Sequence, residues 1–230
     1  MNITHLPYDA NEVEDARYFH EHYWKECALQ LLLREVGNPQ GAELLDYGCG
    51  RGEFLAMARA AGFKVSGLDI DPACVELARR VGPAGLIAPE DYLESLPGAS
   101  VDVISSLHVL EHVENPKRLL GSMRRVARRY VLIAVPNLRA FRPLRTHKQG
   151  ATNEGHLQGW DRETLINLAV RHCGLDLVAF ATDMTKIPSV SYRICQLFGS
   201  GAEKVINLKL FSHLWPQRSL SIIALFRVPA

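Results

Sequence analysis

The stretch LLDYGCGRGEFL, residues 44–55, decides the fold. A short apolar run, Glu43 to Tyr47, ends in Gly48-Cys49-Gly50-Arg51-Gly52, and Glu53 to Ala61 is then a good helix former closed by Gly62. Strand, glycine turn and helix open an α/β unit. Downstream, Lys64 to Ile70 reads as a second strand. Asp71-Pro72 starts a helix running through Val81, with Asp as N-cap and Pro at the first helical position. Gly85 to Ala88, Val101 to Ser106, Tyr130 to Pro136, Asp176 to Ala181 and Ser219 to Val228 read as five further strands, with helices over Pro116 to Arg129 and Arg162 to Cys173. Upstream, residues 16–36 place apolar and aromatic groups at helical intervals before a Gly-Asn-Pro stop. Strands alternating with helices predict a mainly parallel sheet covered on both faces. Residues 182–218 break the rhythm; Tyr192, Leu197, Phe198, Leu208, Leu210, Phe211, Leu214 and Trp215 suggest helices inserted over the sheet, as a substrate lid or as simple packing.

Ligands of open α/β sheets sit beyond the carboxyl ends of the strands, where the glycine loop is expected. Glycines there let the chain turn sharply and a ligand approach closely, and the next helix presents unpaired N–H groups to a carboxylate or phosphate. The spacing is GxGxG, whereas a dinucleotide fingerprint requires GxGxxG. Asp46, two residues before the first glycine, suits a cationic ligand better than a pyrophosphate. Asp69 ends the second strand, where an acid can hydrogen-bond both hydroxyls of a ribose. Asp71 is at hand to cap the next helix in its stead.

With these residues in view the sequence resembles the class I S-adenosylmethionine-dependent methyltransferases. LLDYGCGRGEFL (44–55) is similar to that family's first motif and VSGLDIDP (65–72) to its second. VDVISSLHVLEHVENPKRLL (101–120), YVLIAVPN (130–137) and GHLQGWDRETLINLAVRHCGL (155–175) resemble the later segments in order. The resemblance implies a Rossmann-like, doubly wound, seven-stranded sheet, mostly parallel with an antiparallel last strand. It implies one methyltransferase domain over 1–230: a helical cap (1–38), a cofactor-binding core (40–181), an inserted helical lid (182–218) and a last strand (219–230). S-adenosyl-L-methionine is the implied cofactor. Asp46, Gly48, Cys49 and Gly50 would surround its methionine part, Asp69 would hold the ribose, and Ile70 would pack on the adenine. Glu90 and Asp91 compete for the adenine amino group, with Asp91 preferred; Ser106 and Leu107 would line the sulfonium pocket. Arg128-Arg129 stands where a Pro-Gly-Gly turn is common, a shortened linker similar to that of MetW-like proteins.

Methyl transfer from a sulfonium needs orientation, desolvation and, for some acceptors, removal of a proton. His108, His112 and His156 are the base candidates, since imidazole exchanges protons near neutral pH; the structural reading has Glu111 and His112 bracing the loop after the fourth strand. His108, Glu111 and His112 stand at i, i+3 and i+4, so on a helix they would share a face, and with His156 they offer a nitrogen and oxygen donor set. The set resembles the ExxEH motif of metal-dependent RNA 2'-O-methyltransferases but has His108 in place of the first Glu. No metal ligand is assigned.

Composition bounds the rest. The 230 residues, 47% hydrophobic and 22% charged with net charge +1, describe an ordinary globular chain and exclude a disordered, collagen-like or disulfide-scaffold protein. No run approaches the ~18–20 apolar residues that cross a bilayer, and the polar, acidic N-terminus is unlike a signal or transit peptide. Five cysteines without CxxC spacing fit reduced thiols and a cytoplasmic location. Residues 1–114 carry 8 Lys+Arg against 19 Asp+Glu, residues 115–230 carry 18 against 6, and ten basic residues lie between Lys117 and Lys148 with no acid among them. Such a run is either a solvated helix face or a surface for an anionic partner. The function that the resemblance implies is methyl transfer to a small-molecule acceptor, anionic or carrier-bound, at O or N. The alternatives are a metal-assisted RNA 2'-O-methyltransferase and a catalytically silent cofactor-binding partner. Balanced total charge and the lack of a recognisable RNA-binding module argue against nucleic acid.

Overall fold

The computed structural model describes residues 16–86, 92–140 and 155–229. The chain runs α1 (Ala16–Val36), β1 (Glu43–Tyr47), α2 (Glu53–Ala61), β2 (Lys64–Asp69), α3 (Pro72–Ala78), β3 (Ala84–Leu86), α4 (Tyr92–Ser95), β4 (Val101–Leu107), α5 (Pro116–Val126) and β5 (Ala127–Pro136). It continues through α6 (Arg162–Ile166), a π-helical extension to His172, β6 (Asp176–Thr182), α7 (Pro188–Val205), a second π-helical stretch to Phe211, α8 (Ser212–Leu214) and β7 (Ser221–Arg227). The seven strands form one sheet in the order β3-β2-β1-β4-β5-β7-β6. β1 pairs parallel with β2 and β4, and β4 with β5; β7 enters antiparallel between β5 and β6. The sheet is thus mostly parallel with an antiparallel last strand.

Adjacent residues on the central strands serve opposite faces. Leu45, Ile104, Val131, Ile133 and Phe226 pack under α5 and α6 with Leu120, Met123, Val126 and Leu165. Leu44, Val103, Leu132, Ile223 and Leu225 pack under α1 and α2 with Ala28, Leu32, Phe54 and Leu55. This two-sided burial is why these strands read as unbroken apolar runs instead of alternating ones. It also makes α1 an integral part of one hydrophobic layer.

Several boundaries move. The segment expected to be helical to Arg129 leaves the helix at Val126, and β5 takes over at Ala127, whose backbone is extended. The cause lies across the sheet. The Arg128 guanidinium donates to the carbonyl oxygens of Ala99 and Ser100 and pairs with Glu43 at 3.0 Å and Asp102 at 3.1 Å. These bonds hold the arginine pair extended along β4 and override its helical propensity. The third strand begins at Ala84, one residue before the expected start, and is described as far as Leu86; residues 87 and 88 lie outside the described residues. The Asp71 cap is as expected, its carboxylate accepting from the Ala73 N–H at 2.8 Å. Helices fill the segment after β6, and they pack chiefly on one another, with Ser191 Oγ donating to Asn207 Oδ1 at 2.8 Å. All five cysteines are free. No helix among the described residues is long and apolar enough to cross a membrane.

Candidate active site

The chain winds outward from β1 through β2 to β3, then returns to β4 on the other side of β1. This reversal leaves a crevice beyond the carboxyl ends of β1 and β4, where the loop after β1, the end of β2 and the loop after β4 meet. The Gly48 and Cys49 N–H groups both donate to the Leu68 carbonyl, at 2.7 and 2.9 Å, which ties the loop after β1 to β2. Gly48 has φ 80 and Gly50 φ 52, left-handed conformations that favour glycine. A methyl group on Gly48 would strike Val109 Cγ2, whereas one on Gly50 would meet nothing closer than Glu53 Oε2 at 4.0 Å. Gly48 therefore lets the loop pack on the segment after β4, and Gly50 borders open space.

Three carboxylates surround that space. Asp46, at the end of β1, is 2% exposed and accepts from Ser105 Oγ at 2.7 Å. Burial pushes its pKa up to about 7, against the pull of the Ser105 hydrogen bond and the Lys25 ammonium. Asp69 accepts from the Gly50 N–H at 2.7 Å and the Asp71 N–H at 3.0 Å, so it shapes the loop as well as facing the crevice. Glu53, the first residue of α2, pairs with Lys25 at 3.0 Å. Ile70, immediately after Asp69, is 75% exposed, a bare apolar surface beside a polar rim. Cys49 is buried and its thiol pKa is raised, chiefly by desolvation, so it is a packing group there. Ser106 and Leu107 are buried as well, and the Ser106 hydroxyl has no hydrogen-bond partner among the described residues. Asp91 and Glu90 lie outside the described residues.

The loop after β4 forms the opposite wall. His108 sits at φ 57, a left-handed conformation uncommon for any residue but glycine. Its N–H donates to the Ala134 carbonyl at 2.8 Å, its Nε2 lies 3.2 Å from Ser221 Oγ, and its Nδ1 lies 3.5 Å from Glu111 Oε1. Trp24 of α1 lies against the ring, centroids 4.4 Å apart. The shared helical face expected for His108, Glu111 and His112 does not form. Only Leu110–His112 is helical, as a single 3₁₀ turn, and the left-handed His108 precedes it. The structure nevertheless gathers Glu111, His112 and His156, with the two imidazoles edge-to-face at 4.8 Å. Sequence reading missed Trp24, Lys25, Ser221 and Asp183. Asp183 is buried and both its oxygens accept from the Ser221 N–H at 3.1 Å; burial raises its pKa to about 6 despite the opposing influence of Ser221 and His108. No local pattern marked these residues, because α1 and the β6–β7 connection reach the crevice only through the fold.

The methyltransferase domain family matches residues 17–179, and the chain belongs to that family, the class I S-adenosylmethionine-dependent methyltransferases. It is 30% identical over 95 residues to the ubiquinone biosynthesis O-methyltransferase of Thiobacillus denitrificans, covering 38% of this chain and 40% of that one. It is 38% identical over 84 residues to the ribosomal protein L11 methyltransferase of Burkholderia vietnamiensis, covering 36% and 27%. The chain spans between 27% and 59% of the length of these and similar curated relatives. In fold it is similar to an S-adenosylmethionine-dependent methyltransferase from Archaeoglobus fulgidus (TM-score 0.61, 20% identity, 93% of this chain and 100% of that one). Magnesium protoporphyrin IX methyltransferase from Synechocystis, solved with bound S-adenosylhomocysteine, gives a TM-score of 0.59 at 16% identity over 91% and 85%. The cofactor of this family fits the crevice. A ligand bearing a sulfonium and an ammonium suits the acidic wall of Asp46, Glu53 and Asp69, and the open flank of Gly50 admits its close approach.

Proposed function

We propose that the protein methylates a hydroxyl oxygen of a small molecule, with His108 as the general base. The observation that supports this best is the placement of His108. Its neighbour Val109 packs directly on Gly48, which sets the histidine at the rim of the cofactor crevice. S-adenosylmethionine, when bound, supplies a methyl carbon already activated by its positive sulfur. The chain's own residues then position and deprotonate. Asp69 and Ile70 hold the ribose and adenine ends, and the carboxylates of Asp46 and Glu53 face the cationic end. Trp24 covers His108 on one side and the adjacent Lys25 pairs with Glu53, so two consecutive residues of α1 contribute to the site. Glu111 beside Nδ1 favours the tautomer with its proton there, so that Nε2, which rests against Ser221 Oγ, is the lone pair that takes the acceptor's proton once the acceptor hydroxyl replaces the serine contact. The names of the ubiquinone biosynthesis relatives support oxygen as the atom methylated.

The test is S-adenosylhomocysteine formation against a panel of hydroxylated metabolites, with His108→Asn alongside the wild type. Asparagine tolerates the left-handed backbone, so the fold should persist. The variant should lose about 10²–10⁴-fold in kcat while binding S-adenosylmethionine as the wild type does. An unchanged kcat removes His108 from the chemistry, and a wild type that does not bind S-adenosylmethionine overturns the whole reading.

A further inference from the structure

The segment between β6 and β7 is a helical hairpin whose outer surface the methyl-transfer site does not use. α7 breaks at Gly199, where φ is 82 and ψ 169, and the chain turns back on itself. Ser191 Oγ donates to Asn207 Oδ1 at 2.8 Å, and the Cys195 thiol hydrogen-bonds to the Glu203 carboxylate, so the paired residues stand equally far along the chain on either side of Gly199. The tip is apolar. Leu197 and Phe198, just before the break, are 73% and 70% exposed, and Tyr192, Val205 and Leu210 are exposed behind them. Large apolar side chains left bare on one element mark a place of contact with another body. The charge around the tip is one-sided. Between Pro188 and Arg218 stand four Lys and Arg, at 193, 204, 209 and 218, against one acid, Glu203. Glu203 is turned inward: its side chain is 14% exposed and pairs with Lys186 at 2.9 Å. Arg193 lies on one arm and Lys209 on the other, both exposed. The hairpin also leaves the sheet on the crevice side. β5 and β6 are both antiparallel to β7, so β6 runs with the central strands and its carboxyl end lies at the edge where the crevice is. At the foot of the hairpin Asp183 holds Ser221, and Ser221 touches His108.

We propose that this hairpin docks the protein on an anionic lipid surface, with Leu197 and Phe198 entering the headgroup region and Arg193 and Lys209 lying against lipid phosphates. An apolar tip bordered by cations, with the phenol of Tyr192 beside it, is the composition of an element that lies in a membrane interface. Long cationic side chains keep their stems on apolar surface while their charged ends reach the phosphates. The arm from Pro188 to Phe198 is too short to cross a bilayer, which takes about 20 residues, so it rests at the surface. Charge decides between lipid and a second copy of this chain. Two hairpins meeting tip to tip would set the Arg193 and Lys209 cations of both copies together, and the segment has no exposed acid to pair with them, since Glu203 is turned inward. A layer of anionic headgroups satisfies the same cations and accepts the apolar tip. Docking there holds the crevice edge of the sheet toward the lipid, and the acceptor class that fits is a hydroxylated amphiphile drawn from that surface. This use of the docked state rests on the function proposed above; the docking itself does not.

The full chain, without cofactor or acceptor, is sedimented with vesicles of phosphatidylcholine alone and of phosphatidylcholine mixed with phosphatidylglycerol. A Leu197→Ser, Phe198→Ser double variant and an Arg193→Ser, Lys209→Ser double variant are run beside the wild type. The wild type should bind the phosphatidylglycerol vesicles in preference and come off as salt is raised. Both double variants should bind them about tenfold more weakly or not at all. All four side chains are exposed, so melting temperatures and S-adenosylmethionine affinities in solution should match the wild type; these read the fold and the cofactor site separately from docking. No binding to either vesicle, equal binding to both, or binding undiminished in either variant overturns the proposal. So does self-association of the wild type that the tip substitutions abolish, without vesicle binding.

Discussion

Gly48 and Gly50 stand two residues apart in one loop and do different work. A side chain at Gly48 collides with Val109, so Gly48→Ala should destabilise the protein by about 1–3 kcal/mol through overpacking and left-handed strain, read as a lower denaturation midpoint. A side chain at Gly50 enters the crevice, so Gly50→Val should leave the protein folded, at a strain cost of about 1–2 kcal/mol, and abolish S-adenosylmethionine binding in calorimetry. Asp69→Ala should weaken that binding by about 1–3 kcal/mol, the scale of hydrogen bonds to a charged group; it also releases the Gly50 N–H that the carboxylate now holds. Of the residues proposed for the site, Asp46, Gly48, Gly50, Asp69 and Ile70 stand out in the sequence because strand, glycine turn and second-strand acid are local patterns. Trp24, Asp183 and Ser221 could not, since each reaches the crevice from an element far away in the chain.

At the scale of elements, α1 and the start of β5 show how packing overrides local preference. Leu32 in α1 is fully buried between the helix and the sheet, so Leu32→Ala should cost about 2–5 kcal/mol in a denaturant titration. The same helix carries Trp24 and Lys25 over the crevice, and loosening it should also weaken cofactor binding. The sequence reading placed α1 correctly over residues 16–36 because its apolar periodicity is long. It extended α5 to Arg129 because arginine is a good helix former. The arginine pair is extended because Glu43, Asp102 and the carbonyls of Ala99 and Ser100 hold Arg128 there, and those partners lie 26 to 85 residues away.

At the scale of the whole molecule, basic residues of the second half of the sequence meet acids of both halves. Arg118 pairs with Glu94, Arg128 with Glu43 and Asp102, and Arg139 with Asp161 and Glu163. Three of the seven described basic residues of the stretch, Arg118, Arg128 and Arg139, are thus paired with acids. The crevice has the opposite character: carboxylates are held there at the expense of their ionisation. Burial raises Asp46 to about 7 and Asp183 to about 6, so between about pH 4 and 7 the native state binds more protons than the unfolded chain. Stability of the ligand-free protein should then fall as pH rises through that window, and the slope should flatten in Asp46→Asn, measured by urea denaturation at pH 5 and 7. A cationic ligand favours the ionised carboxylates, so S-adenosylmethionine binding near pH 6.5 should release protons, seen as a buffer-dependent enthalpy in calorimetry. The sequence by itself determined the order of strands and helices, the glycine loop and its acids, because each is written in contiguous residues whose periodicity and turn chemistry act locally. Only the tertiary structure decided where the α5 helix stops and that the Glu111 carboxylate is buried against His108, because those outcomes depend on side chains whose contacts no local sequence pattern fixes.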